Sequence, residues 1–395
     1  MEGKSRICGQ KLVGLEYIIK KWFKIDETIN MRVMILADAN SPHTIKWVKG
    51  LLRKRLTICV WSISKPDEGI YEHHPNLHIS YSNIIQRREG FGAKAKYLTL
   101  LSKLKRAIKE FKPTILHAHF ASSYGLLGAL TGFNPYVISV WGSDVYVFPY
   151  RNKIYRKILQ YNFRKADKIL STSHVMAEEI SKFTGKAIEV TPFGIDLDLF
   201  KKKDVAENDV FTVGTVKTLE NRYGINYLIE AFKIFKDKYP QHPLKLLIVG
   251  GGSLEFELKA MVKNLGIEDS CEFTGAVPYA SVPAYHNLLD ICLCLSNSES
   301  FGVSAIEASA SEVPVIATNV GGLPEVIEDG VTGIIVPKAD ARSAAEGIEM
   351  LYLNPSMRIE MGKSGRERVK QLYDWENNLQ QMVEIYRKMV KSYDA

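Results

Sequence analysis

Two carboxylates and a glycine turn dominate residues 296–338, which read SNSESFGVSAIEASASEVPVIATNVGGLPEVIEDGVTGIIVPK. Glu299 and Glu307 stand with seven residues between them, around the turn Ser300-Phe301-Gly302. A helical run follows, then the strand-like VPVIAT, then Gly321-Gly322 and Pro324-Glu325. Carboxylates accept hydrogen bonds from sugar and ribose hydroxyls. Backbone N–H groups at a helix start attract phosphate, and Phe301, Gly302 and Val303 are placed to offer theirs. The layout suits a site for a phosphorylated, hydroxyl-rich ligand. Taken singly, either Glu is explained as well by the helix macrodipole, which favours acids in a first turn. The combination carries the reading.

The whole run resembles the nucleotide-sugar site of retaining glycosyltransferases of family 4, and its Glu-seven-Glu element matches in full. The resemblance implies a place near the donor sugar for Glu299 and on the nucleotide ribose for Glu307. Residues 213–224 read VGTVKTLENRYG. The family has an Arg shortly after the strand Gly and a Lys before the second Gly, both on the donor diphosphate. Here Thr215 and Tyr223 stand instead, the loop is longer, and the available cations are Lys217 and, as a second clamp, Arg222. Fixed cations stabilise the charge that gathers on a departing diphosphate.

The strand-like TILHAH (114–119) ends with His117 and His119 on one face. A strand-end His is more often structural. The resemblance puts one here near donor sugar and acceptor, which makes His119 the catalytic candidate beside Glu299. WGSD (141–144) resembles an HGxD-type segment with Trp141 in place of His, so Asp144 is a candidate contact for acceptor or sugar. After the first strand the family's Gly-Gly loop is replaced by Ser41, Pro42 and His43, of which Ser41 and His43 are weaker candidates. VTPFGIDLDLF (190–200) resembles the family's connecting segment, with Gly194 and Asp196 read as structural. No Asp-x-Asp pair stands where a metal would bridge a diphosphate, so the expected transfer needs no metal and no other cofactor.

These residues need a scaffold, and the hydrophobic pattern supplies one. From Met31 onward, strand-like runs (32–38, 56–64, 114–119, 136–142, 167–173) alternate with amphipathic helices. Alternation of this kind argues a parallel, doubly wound sheet. A charged stretch, KKKDVAEND (201–209), reads as a linker. The alternation restarts with strand-like runs at 211–216, 243–250, 271–277, 290–296 and 313–318. The expected fold is α/β: GT-B, two Rossmann-like domains facing across a cleft, at 31–200 and 210–372. By resemblance, a C-terminal helix over 375–393 packs back on the first. Open α/β sheets bind ligands at strand carboxyl ends. Residues 1–30 fit neither domain. They read as a surface extension or as a stretch preceding the native start, and YIIKKWFKI (17–25) is too short to span a bilayer.

The 395 residues carry 46% hydrophobic and 24% charged side chains, an ordinary water-soluble composition. Five scattered cysteines form no zinc-like pattern and suit a reducing cytoplasm. Cys292 and Cys294 alternate on one buried strand face. The net charge of +8 is uneven. Residues 86–112 hold nine Lys/Arg against two Glu, and 148–168 hold seven against Asp167. Interleaved Leu and Tyr fit either a solvated helix face or peripheral contact with an anionic membrane. No nucleic-acid motif accompanies the charge. The expected partners are a UDP- or GDP-sugar donor and a saccharide or lipid-linked acceptor, in cell-surface polysaccharide or glycolipid assembly. A glycosidase is disfavoured, because eight helical residues rise ~12 Å, beyond the ~5–9.5 Å of paired glycosidase carboxylates. A nucleotide-sugar epimerase of the same fold and a non-catalytic carbohydrate-binding protein remain as rivals.

Overall fold

The computed structural model describes residues 31–82, 93–203 and 209–394. The N-terminal extension, residues 86–92 of the first basic stretch and most of the 201–209 linker lie outside the described residues. Strands β1 (Arg32–Leu36), β2 (Thr57–Ser62), β3 (Leu77–Tyr81), β4 (Ile115–His119), β5 (Tyr136–Val140), β6 (Lys168–Ser171) and β7 (Ile188–Val190) form one sheet in the order β3-β2-β1-β4-β5-β6-β7. Strands β8 (Phe211–Val216), β9 (Leu244–Val249), β10 (Cys271–Gly275), β11 (Ile291–Cys294), β12 (Val315–Thr318) and β13 (Gly333–Val336) form a second, in the order β10-β9-β8-β11-β12-β13. Every neighbouring pair in the second sheet is parallel. A parallel sheet is covered on both faces, so its central strands read as unbroken apolar runs. Accordingly RVMIL, ILHAH, YVISV and ICLC are buried almost throughout.

Three strands escape the hydrophobic pattern. LHISY of β3, IEV of β7 and GIIV of β13 are short, only partly buried, and stand at sheet edges. Half-covered edge strands carry little apolar signal. The doubly wound α/β expectation otherwise holds for both sheets.

The chain divides into two compact units. The first holds residues 1–117, 130–135 and 383–395; the second holds 118–129 and 136–382. The first sheet ends with β7 at Val190 and the second begins with β8 at Phe211, whereas the compact units part inside β4. In the first unit, Tyr386 of helix Trp375–Asp394 shares a 2.6 Å hydrogen bond with His117 Nδ1. In the second, Asn378 and Gln381 of that helix donate to the carbonyls of Pro192 (3.1 Å) and Val190 (3.0 Å). The terminal helix therefore contacts β4 through His117 and the end of β7 through Val190 and Pro192. His117 is fully buried, and burial pushes its imidazole down to about 3, so it stays neutral. Gly194 serves close approach more than turning: a Cβ there would lie 2.6 Å from Trp375 Cα. Asp196 does cap the chain, accepting the N–H groups of Asp198 and Leu199. No helix among the described residues is long and apolar enough to cross a membrane.

Candidate active site

In the second sheet the strand order reverses between β8 and β11. Loops leaving the carboxyl ends of such a pair diverge and open a crevice. Lys217 follows β8 directly, and Glu299 lies in the loop after β11. Their side chains meet: Nζ to Oε2 is 2.7 Å, with the two side chains only 15% and 9% exposed. Burial alone would lower the Lys217 ammonium, but Glu299, with Cys294 and Tyr223, outweighs it and raises it above its ordinary value. Lys217 is a permanent cation. Removing either partner would strand a buried charge, which is far costlier than losing an exposed pair.

The two loops are fastened to each other. Arg222 accepts, at its carbonyl, the N–H groups of Asn297 (2.8 Å) and Ser298 (3.1 Å). Gly224 adopts φ 62° at the start of helix Ile225–Lys238, where a Cβ would sit 2.0 Å from the Leu295 carbonyl oxygen. Tyr223 takes a new role at the position where the family has Lys. Its ring lies 4.4 Å from Lys217 Nζ and 4.6 Å from the Arg222 guanidinium. Cation–π contact steadies both cations, so a tyrosine organises the charge that the family places there directly.

Helix Val303–Ala310 begins at Gly302, whose φ of 110° is a conformation that L side chains rarely adopt. Ser304 Oγ donates to the Val216 carbonyl (2.7 Å), tying the helix start to the end of β8. The N–H groups of Val303 and Ser304 donate to no other group among the described residues, which leaves them available to an anion. Phe301 is 2% exposed, and its ring packs on Phe193 and Tyr373. Only its backbone can serve a ligand. Gly321-Gly322 supports this loop by close packing. A Cβ at Gly321, already at φ 54°, would fall 1.6 Å from the Glu299 carbonyl oxygen, and one at Gly322 would fall 2.7 Å from Phe301 Cα.

Glu307 lies on the same helix and is 5% exposed. Two residues that sequence reasoning missed flank its carboxylate. Burial, with the Glu307 carboxylate close by, holds the Tyr279 phenol above its ordinary value. His286 Nε2 stands 3.6 Å from Glu307 Oε2. Their seven-residue separation along YASVPAYH was the available signal, since it brings two side chains to one helical face.

A second cluster gathers where β4, β5 and β6 end. His119 is 2% exposed, with its ring 4.6 Å from Trp141. Trp141 packs on Phe193 (5.7 Å), which reaches Phe301 (5.9 Å). Asp144 requires a correction. It is fully buried, and its carboxylate accepts the N–H groups of Ala121 (2.7 Å), Gly142 (2.8 Å) and Trp141 (3.3 Å). Burial raises its carboxyl while these N–H groups oppose the rise. Fully committed to backbone, it shapes the turns after β4 and β5 instead of facing acceptor or sugar. Ser300, beside Glu299, receives a hydrogen bond from Ser173 Oγ at its carbonyl (3.0 Å). Glu325 accepts the first N–H groups of helix His174–Ser181, from His174 (2.8 Å) and Val175 (2.6 Å). Lys217, Arg222, Glu299, Phe301, Gly302, Val303, Glu307, His119 and Asp144 all fall in the second unit, whereas Ser41 and His43 fall in the first. Ser41 is the residue before helix Pro42–Arg53, and His43 lies in its first turn.

A cavity of ≈ 360 Å³ elsewhere, lined by Glu328, Thr332, Glu360, Lys363 and Arg368, touches none of these groups. Its charges are already partnered in part, Arg368 with Glu328 at 2.9 Å.

Two α/β sheets, the second with a buried Lys–Glu pair at its switch point, are the architecture expected of a GT-B protein. The family model described as glycosyl transferases group 1 matches residues 197–368, and that described as glycosyl transferase 4-like matches residues 32–173. The chain belongs to this group 1, family 4 set of glycosyltransferases. It is 29% identical over 234 residues to D-inositol 3-phosphate glycosyltransferase of Corynebacterium urealyticum, covering 58% of this chain and 53% of that protein. It therefore spans about half the length of that relative. It is 28% identical over 312 residues to N-acetyl-alpha-D-glucosaminyl L-malate synthase of Bacillus anthracis, covering 73% and 78%. Its fold matches sucrose-phosphate synthase from Thermosynechococcus elongatus with a TM-score of 0.80 at 22% identity, covering 92% of this chain and all of that one.

Proposed function

We propose that this protein transfers a sugar from a nucleotide-sugar donor to a saccharide or lipid-linked acceptor, with retention of anomeric configuration and without a metal. The observation that carries the reading is the buried Lys217–Glu299 pair at the switch point, beside the open N–H groups of Val303 and Ser304. The donor diphosphate would lie against Lys217 and the helix start, with Arg222 at the loop's outer side. These fixed positive groups stabilise the leaving diphosphate as its charge grows, the service a divalent metal gives in other transferases. Glu299 faces the sugar end, and Glu307 accepts from the ribose. His119 stands with Trp141 at the second cluster, as the candidate for sugar or acceptor contact.

The proposed pathway is cell-surface polysaccharide or glycolipid assembly on the cytoplasmic side of a membrane. Helix Lys153–Lys165 supports a peripheral membrane contact: it exposes Lys153, Arg156 and Lys157 around Ile154, which is 69% exposed. A screen of UDP-, GDP- and ADP-sugars with candidate acceptors tests the activity. Glu299→Ala is expected to abolish transfer in a folded protein; a fully active Glu299→Ala variant overturns the site.

A further inference from the structure

The segment after β10 carries two groups to Glu307 that the proposed chemistry leaves unused. A 3-10 turn, Tyr279–Ser281, runs into helix Val282–His286, so Tyr279 and His286 share one side of it. Phe200 walls both rings, at 5.8 Å from Tyr279 and 6.2 Å from His286. His286 is fully buried, yet neither ring nitrogen has a hydrogen-bond partner among the described residues. Its Nε2 stops 3.6 Å from Glu307 Oε2, too far for a hydrogen bond and near enough to close with a small shift. Burying an imidazole at that distance from a buried carboxylate makes sense if the gap closes in a working state, because polar contacts in ligand-free sites often tighten only on binding.

We propose that Tyr279 and His286 are positioning residues that hold the Glu307 carboxylate for the two ribose hydroxyls of the donor and so set a preference for ribonucleotides over deoxyribonucleotides. The proposal rests on the reading of Glu307 as the ribose acceptor. A carboxylate offers about four lone-pair directions. His286 is in reach of one at 3.6 Å and the Tyr279 hydroxyl is the candidate for a second, which leaves enough for a vicinal diol. A carboxylate 5% exposed with no donors to hold it would turn away from the site, and its acceptor role there would be lost. A site built to hydrogen-bond a hydroxyl rejects the analogue that lacks it, because its own buried group is then left unpaired.

The test is calorimetric titration of the full chain with UDP, GDP and ADP. The diphosphate bound most tightly is then compared with its 2′-deoxy counterpart. The wild-type chain is expected to favour the ribonucleotide at least about tenfold. His286→Phe keeps ring volume without the N–H, and Tyr279→Phe removes only a hydroxyl at a position 47% exposed, where folding is not at risk. Each is expected to weaken ribonucleotide binding about tenfold while deoxynucleotide binding holds, so that the ratio falls toward one. His286→Gln returns an N–H near the Nε2 position and is expected to recover most of the ratio. Equal loss of both nucleotides in Tyr279→Phe and His286→Phe would mark a packing role and overturn the proposal, as would an unchanged ratio in both. Glu307→Gln separates the two readings. If it leaves the ratio intact, the ribose role of Glu307 fails and the positioning role with it; if it collapses the ratio while the flanking variants do not, only the positioning role fails.

Discussion

The strand ends of the two sheets do different work in this molecule. After β8 and β11 stand charges that face one another: Lys217 against Glu299 at 2.7 Å, with Tyr223 against Lys217 and Arg222. After β4 and β5 stand rings and a buried clamp: His119 on Trp141, Trp141 on Phe193, and Asp144 spent on three backbone N–H groups. In the first sheet the strand order reverses between β1 and β4, away from the β4–β5 pair, so only the β8–β11 end occupies such an opening. The second sheet uses it to hold opposite charges in a poorly solvated place, where they act strongly on a ligand. At the first sheet the buried carboxylate of Asp144 instead fixes loop shape. An acid at a strand end is thus no guide to ligand contact until its hydrogen bonds are counted.

The sharpest way to break the contrast is to remove charge at the β8–β11 end without removing volume. Glu299→Gln is expected to lower kcat/KM for the proposed transfer by about a thousandfold. It is also expected to hold or tighten nucleoside diphosphate binding, since Lys217 is released from its partner. Lys217→Met should lose both. Steady-state rates beside calorimetric affinities distinguish the two, and equal behaviour of the variants would mean that the pair is structural.

Gly321→Ala comes next, acting through shape alone. An added Cβ would sit 1.6 Å from the Glu299 carbonyl oxygen at φ 54°, so the loop must move. The expected cost is about 2–4 kcal/mol of stability, with a loss of turnover beyond what the destabilisation explains. Thermal melts and rates measured well below the transition separate the two effects.

Asp144→Ala probes the other side of the comparison. Three buried N–H groups lose their acceptor, and about 2–3 kcal/mol of stability should go with them. At low temperature the folded variant is expected to keep its KM for donor within a few-fold. A selective rise in acceptor KM with unchanged stability would return Asp144 to the ligand and erase the distinction drawn between the two ends.

The fold was largely readable because buried parallel strands announce themselves as apolar runs, and only the half-exposed edges β3, β7 and β13 escaped. The charged site was readable for a related reason. Glu299, Gly302 and Glu307 lie within one short local stretch, so spacing along the chain reports spacing in the fold. The partners of those residues were not. Lys217 meets Glu299 across 82 positions and Tyr279 meets Glu307 from a different element, and single-sequence periodicity carries no such pairing. Asp144 shows a third limit. Its motif named the residue, but burial decided its role, and burial of one polar side chain depends on loops from several strands.

His117 gives the smallest and cleanest test, because it differs from His119 by two positions on one strand and has no part in the proposed chemistry. It is buried against Tyr386, and burial takes its imidazole from 6.5 down to about 3. The folded state therefore resists a proton that the unfolded chain accepts. Since the folded value is the lower one, the contribution to stability is complete above about pH 6.5 and is lost as pH falls from there toward 3. One proton of difference corresponds to about 1.4 kcal/mol per pH unit across that window. Urea titrations of the wild-type chain from pH 7 to pH 4 should show this slope. His117→Asn, which keeps a polar partner for Tyr386 but cannot titrate, should flatten it by that amount and leave the proposed transfer at pH 7.5 intact. A slope unchanged in the variant would assign the acid sensitivity to groups other than His117.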